Sequence, residues 1–270
     1  MPSLNAAVLD LKRFDLLANG TTFIHNLDAR AKVLVTGLFI IFVVSFGRYE
    51  LAALLPFFVF PAAMIALSNL PARLIARKIA LLCPFVLIIG IFNPIIDREI
   101  MVNFGSVGIS GGWVSFISII VKSILTVGAA LVLVGVTGFT AICMALERLG
   151  VPKVFAVQLL FLYRYIFVLA EEAGRASMAR KLRSCGNKGL GIASYGSMVG
   201  HLLLRTWQRA DRIHMAMLAR GFTGEFHARQ RSRFGRPEII FILVWVTLFI
   251  LLRLQNIPHF LGRVITEMLP

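Results

Sequence analysis

Cysteine is scarce in this 270-residue chain: Cys83, Cys143 and Cys185 are odd in number, widely spaced and form no Cys-x-x-Cys pair. That pattern gives no sign of a disulfide framework or of a thiolate metal site of the usual spacing. Two of the three lie in apolar stretches, where a thiol behaves as a small hydrophobe. Acid is scarce too, with 13 Asp and Glu against 28 Lys and Arg. No Asp-x-x-Asp-Gly or similar acidic cluster is present to hold a catalytic metal. The pair Glu171-Glu172 is adjacent in sequence and therefore points apart on a helix. His25, His201, His214, His227 and His259 show no His-x-x-x-His or Glu-x-x-His spacing on a common face. Gly189-Leu190-Gly191 follows no strand, so it is not a dinucleotide loop. The phosphate loop Gly-x-x-x-x-Gly-Lys-Ser/Thr and the elbow Gly-x-Ser-x-Gly are both missing. The chain is expected to hydrolyse no ATP itself and to carry no catalytic residue, metal ligand or cofactor.

What is abundant is hydrocarbon. The chain is 58% hydrophobic and 15% charged, with a mean hydropathy of +0.84. A soluble domain is closer to half apolar and a quarter charged. The net charge of +15 could signal a nucleic-acid partner. Its placement beside hydrophobic blocks points instead to orientation in a bilayer. At the N-terminus, Asp10 to Arg13 and Asp15 interrupt any apolar core before Val33, so no cleavable signal is expected.

Five segments are apolar enough to cross a bilayer: Ala31 to Phe46, Leu51 to Ser68, Ile79 to Ile96, Trp113 to Val136, and Ile239 to Leu252. A hydrocarbon core of about 30 Å needs around 20 helical residues, so the first and last are short. Pro56, Pro61, Pro84 and Pro94 fall in or near spans, where membrane helices tolerate them. Lys12, Arg13, Arg30 and Lys32 precede the first span, Arg73, Arg77 and Lys78 separate the second and third, and 16 basic residues lie between Gly138 and Pro237. Only Arg48 and Arg98 fall in the opposite loops. An odd number of spans with a cytoplasmic N-terminus satisfies the positive-inside rule at every loop. The stretch Val151 to Ala170 is apolar but interrupted by Lys153, Gln158 and Arg164. It is read as a helix on the cytoplasmic face or packed on other spans. A hidden crossing near Phe139 to Leu146 would permit it to cross as well. The expected class is an all-α integral membrane protein with five to six transmembrane helices plus long cytoplasmic coupling helices. Three regions are expected: 1–137 with four spans, a cytoplasmic basic region over 138–237, and 238–270 with the last span.

The basic region reads as two long helices, from about Val154 to Arg183 and from about Ser194 to Arg220. The first runs into Cys185-Gly186-Asn187-Lys188-Gly189, rich in helix-stopping residues. On the second, His201, Arg205, Arg209 and Arg212 follow one face, while Leu203, Trp207, Ala210, His214 and Met217 follow another. Such a helix suits a membrane surface or a partner's groove. Each helix ends in a short motif, Leu182-Arg183-Ser184 and Ala219-Arg220-Gly221. A structural reading accounts for each alone: Gly221 fits a C′ glycine of positive φ, and arginine in a last turn complements the helix dipole. Two such ends 37 positions apart in one cytoplasmic segment also suit bidentate capture of carboxylates on another protein. Lys122, about ten residues into the fourth span, is either functional or satisfied by a polar neighbour. No internal repeat or low-complexity linker is present.

Three runs are similar to the transmembrane coupling (T) component of energy-coupling factor transporters. They are Phe14-Asp15 with His25-Asn26-Leu27-Asp28-Ala29-Arg30-Ala31-Lys32, the paired arginine motifs, and Ala210-Asp211-Arg212 through Phe222. Ala29 stands where that family has proline, and Leu182-Arg183-Ser184 is the less typical of the two motifs. The resemblance is closest to the cobalt branch, CbiQ. It implies a non-catalytic subunit of a prokaryotic cell membrane, partnered by two ATP-binding cassette ATPases and a CbiM-like substrate-binding membrane subunit, with room for a small accessory membrane subunit. Arg183 and Arg220, flanked by Leu182, Ser184, Ala219 and Gly221, are then the ATPase contacts. Cobalt uptake serving cobalamin biosynthesis is the implied task, with no nucleic acid involved. A nickel or vitamin relative, an ordinary ABC permease subunit and an integral membrane enzyme remain as alternatives.

Overall fold

The computed structural model describes residues 13–96, 100–104, 107–183, 192–222 and 234–254. These form helices α1 (residues 13–18), α2 (Phe23–Asn26), α3 (Ala29–Val44), α4 (Leu51–Leu54), α5 (Val59–Ser68), α6 (Ala72–Gly90), α7 (Asn93–Ile96), α8 (Gly111–Thr137), α9 (Phe139–Arg148), α10 (Lys153–Arg183), α11 (Ile192–Ala219) and α12 (Arg236–Leu254). A 3₁₀ turn, Leu55–Phe58, joins α4 to α5 where Pro56 removes a backbone donor. Between α7 and α8 the chain forms a small antiparallel hairpin, β1 (Ile100–Phe104) with β2 (Val107–Ser110), pairing Phe104 with Val107 and Asn103 with Gly108. The class is all-α with this one insertion, and the protein is a membrane protein.

Four stretches are long and apolar enough to cross a bilayer: Leu51–Ser68, Gly111–Thr137, Lys153–Arg183 and Arg236–Leu254. The expected first span becomes α3, whose 16 residues reach about 24 Å, short of the hydrocarbon thickness. The expected third span falls on α6 and α7, which are not among those four: Arg73, Arg77 and Lys78 are incorporated into α6, and the helix breaks at Ile91 ahead of α7. For Val151 to Ala170 the sequence predicts a helix on the cytoplasmic face or packed on other spans. Most of it is the apolar part of one 31-residue helix that by length and composition could itself span.

The chain gathers into two compact units, one of residues 17–138 with 232–270, the other of residues 1–16 with 139–231. The first is built around an aromatic cluster. Phe39 from α3 meets Phe60 from α5 at 4.6 Å between ring centroids and Phe249 from α12 at 5.4 Å. Trp245 stands edge-on to Phe60 at 4.8 Å. Val35, Phe39 and Val43 repeat every four residues on α3, and Leu125, Ala129, Val132 and Val136 recur every three or four on α8, so each helix turns one stripe inward. Gly90 admits the Phe116 ring so closely that a Cβ would come within 2.7 Å of it.

Lys122 belongs to this unit, and the structure decides between its two readings. Its Nζ donates to the Phe46 carbonyl at 2.6 Å and to the Gly47 carbonyl at 3.2 Å, just past the end of α3. Glu50 Oε2 accepts from the Gly47 N–H at 3.3 Å. The lysine thus satisfies backbone oxygens where α3 stops, groups that lipid cannot satisfy. Lys122→Met should destabilise the protein by about 1–3 kcal/mol by stranding those carbonyls. Lys122→Arg, which keeps the donors, should recover most of it. Unfolding in SDS measures both, and a Met variant as stable as the parent would refute the capping role.

The second unit is held differently. Tyr163 of α10 stacks on Phe139 of α9 at 4.6 Å, and its hydroxyl donates to Asp15 Oδ2 at 2.6 Å. α9 stops at a positive-φ glycine, Gly150, with Val151 N–H reaching back to Leu146 O. α10 buries only Ala156, Tyr163 and Ser177, and none of the described side chains of α11 is buried.

Candidate functional site

The two long helices of the second unit present both arginine motifs. Arg183 is the last residue of α10 and is exposed, with Leu182 beside it 75% exposed. Arg180 and Lys181 share that final turn, so three cations sit at the negative end of the helix dipole. Ser184 lies outside the described residues. At the other end Ala219 closes α11, Arg220 occupies the cap, and Gly221 takes φ +76°. Phe222 N–H bonds to Met217 O at 3.0 Å and Gly221 N–H to Leu218 O at 3.0 Å, the paired bonds of a Schellman stop.

This accounts for Gly221 completely and for the arginine only in part. The cap needs a glycine at that φ, but a Schellman bond pattern uses only the backbone of Arg220. Among the described residues neither the Arg183 nor the Arg220 side chain makes a hydrogen bond or an ion pair. Two guanidinium groups are therefore placed at defined helix ends with their donors unused among the described residues.

The rest of α11 is similarly uncommitted. Met198, Leu202, Thr206, Ile213 and Met217 form a half-covered stripe. His201, Arg205, Arg209 and Arg212 are exposed on the basic side. Leu203 is 67% and Trp207 70% exposed, so that part of the second stripe read from the sequence lacks cover among the described residues, while Met217 falls on the half-covered stripe. An amphipathic helix in that condition suits a partner or lipid.

A separate polar knot lies in the first unit and explains the run His25 to Lys32. Asp28 caps α3, its Oδ1 accepting from the Arg30 N–H at 2.9 Å. Lys32 is buried, and its Nζ donates to the carbonyls of Ile24 at 3.1 Å and His25 at 3.3 Å, at the end of α2. The Asp28 carboxylate is close enough to act on that charge. His25 Nε2 donates to Leu17 O at 3.0 Å, which fixes the tautomer and leaves Nδ1 to accept from the Thr22 hydroxyl at 2.7 Å. Burial lowers the His25 pKa below its ordinary value, the Leu17 bond opposes this, and Lys32 adds to the lowering. Gly20 must be glycine here, since a Cβ would meet the imidazole at 2.7 Å.

Glu238 completes the knot and was missed in the sequence. Its Oε2 accepts from Gly235 N–H at 2.8 Å and its Oε1 from Asp28 N–H at 3.4 Å. The available signal was a glutamate three residues after the residue preceding α12, the reciprocal half of a capping box. Ala29 is the first residue of α3, and Asp28 before it has ψ 135°, which suits a following proline. Ala29→Pro should therefore stabilise by about 0.4–1 kcal/mol by restricting the unfolded chain. A lowered unfolding midpoint in that variant would contradict the assigned backbone geometry.

Comparison with known proteins bears on both features. Residues 20–232 match the cobalt transport protein family, CbiQ. An uncharacterised protein of Methanocaldococcus jannaschii is 27% identical over 240 residues, covering 85% of this chain and 81% of that one. A protein of Ruminiclostridium cellulolyticum named energy-coupling factor transporter transmembrane protein EcfT is 25% identical over 251 residues, covering 85% of this chain and 93% of its own. One of the same name from Acidaminococcus fermentans is 26% identical, with 86% and 92% covered. The matched range contains the run from His25 to Lys32 and both helix ends.

Proposed function

We propose that this chain, which belongs to the CbiQ cobalt transport protein family and is a transmembrane (T) component of the energy-coupling factor type, passes the motion of partner ATPases to a separate substrate-binding membrane subunit. One observation carries this reading: each of the two long helices of one compact unit ends in an exposed arginine whose side chain has no partner among the described residues. Arg183 and Arg220 each dock on one of two ATP-binding cassette subunits, with Leu182, Ser184, Ala219 and Gly221 shaping the contact. A guanidinium fork meeting a carboxylate fixes orientation as well as affinity, which a force-transmitting joint requires. The basic unit and the N-terminus face the cytoplasm, in keeping with the charge distribution.

Cobalt ion is the cargo we infer from the family, captured by a CbiM-like membrane subunit and delivered toward cobalamin biosynthesis. An ordinary ABC permease is the weaker reading, because Lys122, its main support as a polar group along a path, is engaged by the Phe46 and Gly47 carbonyls. Purification of the tagged chain from its native membrane tests the proposal. Recovery of nucleotide-binding subunits with ATPase activity, together with a small hydrophobic protein, is the expected result. Recovery of the chain alone would overturn it.

A further inference from the structure

We propose that α10 and α11 hold one acidic phospholipid in the crevice between them, its phosphate among guanidinium groups and an acyl chain in an adjoining apolar slot. The crevice has two parts. One is a groove of about 680 Å³ lined by Arg175, Arg180, Arg183, His201 and Arg205, with Glu172 as the acid on its wall. The other, of about 290 Å³, is lined by Tyr165, Val168, Leu169, Leu203 and Trp207. Glu172 borders both, so the two parts adjoin.

Among the described residues the lining of the larger groove carries four guanidinium groups and one carboxylate. Arg175 is paired with Glu171 at 3.5 Å, on the surface. Arg180 lies 3.3 Å above the Tyr195 ring, which fixes the plane of its guanidinium. Arg183 and Arg205 make no hydrogen bond or ion pair among the described residues. Four guanidinium groups against Glu171 and Glu172 leave a net positive cleft suited to an anion carrying several acceptor oxygens. Phosphate chemistry fits, and a volume of this order is ordinary for a bound ligand.

The apolar slot decides the source of that phosphate. Free phosphate would leave Leu203 and Trp207 bare, at 67% and 70% exposed. An amphiphile with a charged head and a hydrocarbon tail covers both parts together. α10 also carries its apolar residues ahead of its basic turn and is long and apolar enough to enter a bilayer, so lipid is at hand. Clusters of basic residues beside a membrane segment recruit acidic lipid. This inference stands on the geometry of one unit and does not depend on ATPase docking.

The test reconstitutes the full chain in vesicles of phosphatidylglycerol and phosphatidylcholine, extracts it gently, and counts retained lipid by native mass spectrometry. About one phosphatidylglycerol per chain is expected, preferred over phosphatidylcholine by roughly 30-fold, as two basic groups at a membrane surface imply. Arg180→Gln with Arg205→Gln should abolish the preference. Arg180→Lys with Arg205→Lys, which keeps the charge, should retain most of it and exclude a folding defect. Trp207→Ser should reduce retention while leaving whatever phosphate binding remains. ATPase recovery should be unchanged in all three, since Arg183 and Arg220 are intact, so this proposal and the coupling reading can fail separately. Equal retention in the glutamine variant would overturn the site. So would complete displacement of lipid by millimolar inorganic phosphate, which would make it a free-anion site, or by added ATPase, which would make it a protein contact.

Discussion

Arg183→Glu combined with Arg220→Glu is expected to abolish recovery of ATPase subunits with the tagged chain and to remove uptake, while insertion into the membrane stays normal. Each single substitution should be milder than the pair. The size of the effect separates the two explanations for these arginines. As helix-end cations they contribute about 0.3–1 kcal/mol each through the dipole, and their loss would lower stability slightly without touching assembly. As contacts to a carboxylate in a buried docking site, truncation of either costs about 2–5 kcal/mol of binding, roughly 30-fold or more. Reversal adds like-charge repulsion to that loss. Gly221→Ala supplies the control for the backbone: it strains a φ of +76° but keeps the guanidinium, so it should cost stability more than docking. A double-glutamate chain that still brings down ATPases would leave Arg183 and Arg220 as helix ends and nothing more.

The two helix ends were legible because local chemistry fixes them. Gly221 is a glycine where α11 requires positive φ, and the observed starts at Lys153 and Ile192 lie within two residues of those read from the pattern. The span boundaries were less legible where charge sits on a helix that continues. Arg73, Arg77 and Lys78 precede the apolar run that starts at Ile79 but already belong to α6, since long cationic chains are good helix formers. The hairpin of β1 and β2 follows from a weaker local signal, Gly105-Ser106 between Ile-Met-Val-Asn-Phe and Val-Gly-Ile. Least legible were partners chosen by tertiary placement. Lys122 bonds to carbonyls of Phe46 and Gly47, and a carbonyl has no signature in the sequence. Asp28 meets Glu238 across 210 positions, and Asp15 meets Tyr163 across 148. For the candidate site the consequence is specific. The sequence located both arginines, but only the structure reveals that their side chains are unpaired among the described residues and that a basic groove runs beside one of them.

Lys32→Ala should be the most destabilising single change in the first unit, by about 3–5 kcal/mol, because it breaks a buried charge arrangement from one side. Lys32 is 2% exposed and Asp28 is 2% exposed, so neither can turn to water when the other is lost. Removing the ammonium strands the carbonyls of Ile24 and His25 and leaves the Asp28 carboxylate with only the half-buried Arg30 guanidinium, 3.9 Å away, as a neighbouring cation. The Asp28 cap on α3 survives, since its Oδ1 bonds to the Arg30 N–H, so loss of helix capping alone, about 1 kcal/mol, does not account for the expected effect. Asp28→Asn keeps a capping oxygen but removes the charge, and should cost less than Lys32→Ala. The pair Lys32→Ala with Asp28→Asn then measures the interaction: if the two charges support each other, the double variant is more stable than the sum of the single losses predicts. Strict additivity in SDS unfolding would show that Lys32 acts only as a donor to α2. Coupling of about 1 kcal/mol or more would show that the run from His25 to Lys32 is held by charge. Because Asp28 N–H also bonds to Glu238, that charge stands where the start of α3 meets the start of α12. Weakening it should loosen α3 and α12 of the first unit together, leaving Arg183 and Arg220 themselves unaltered.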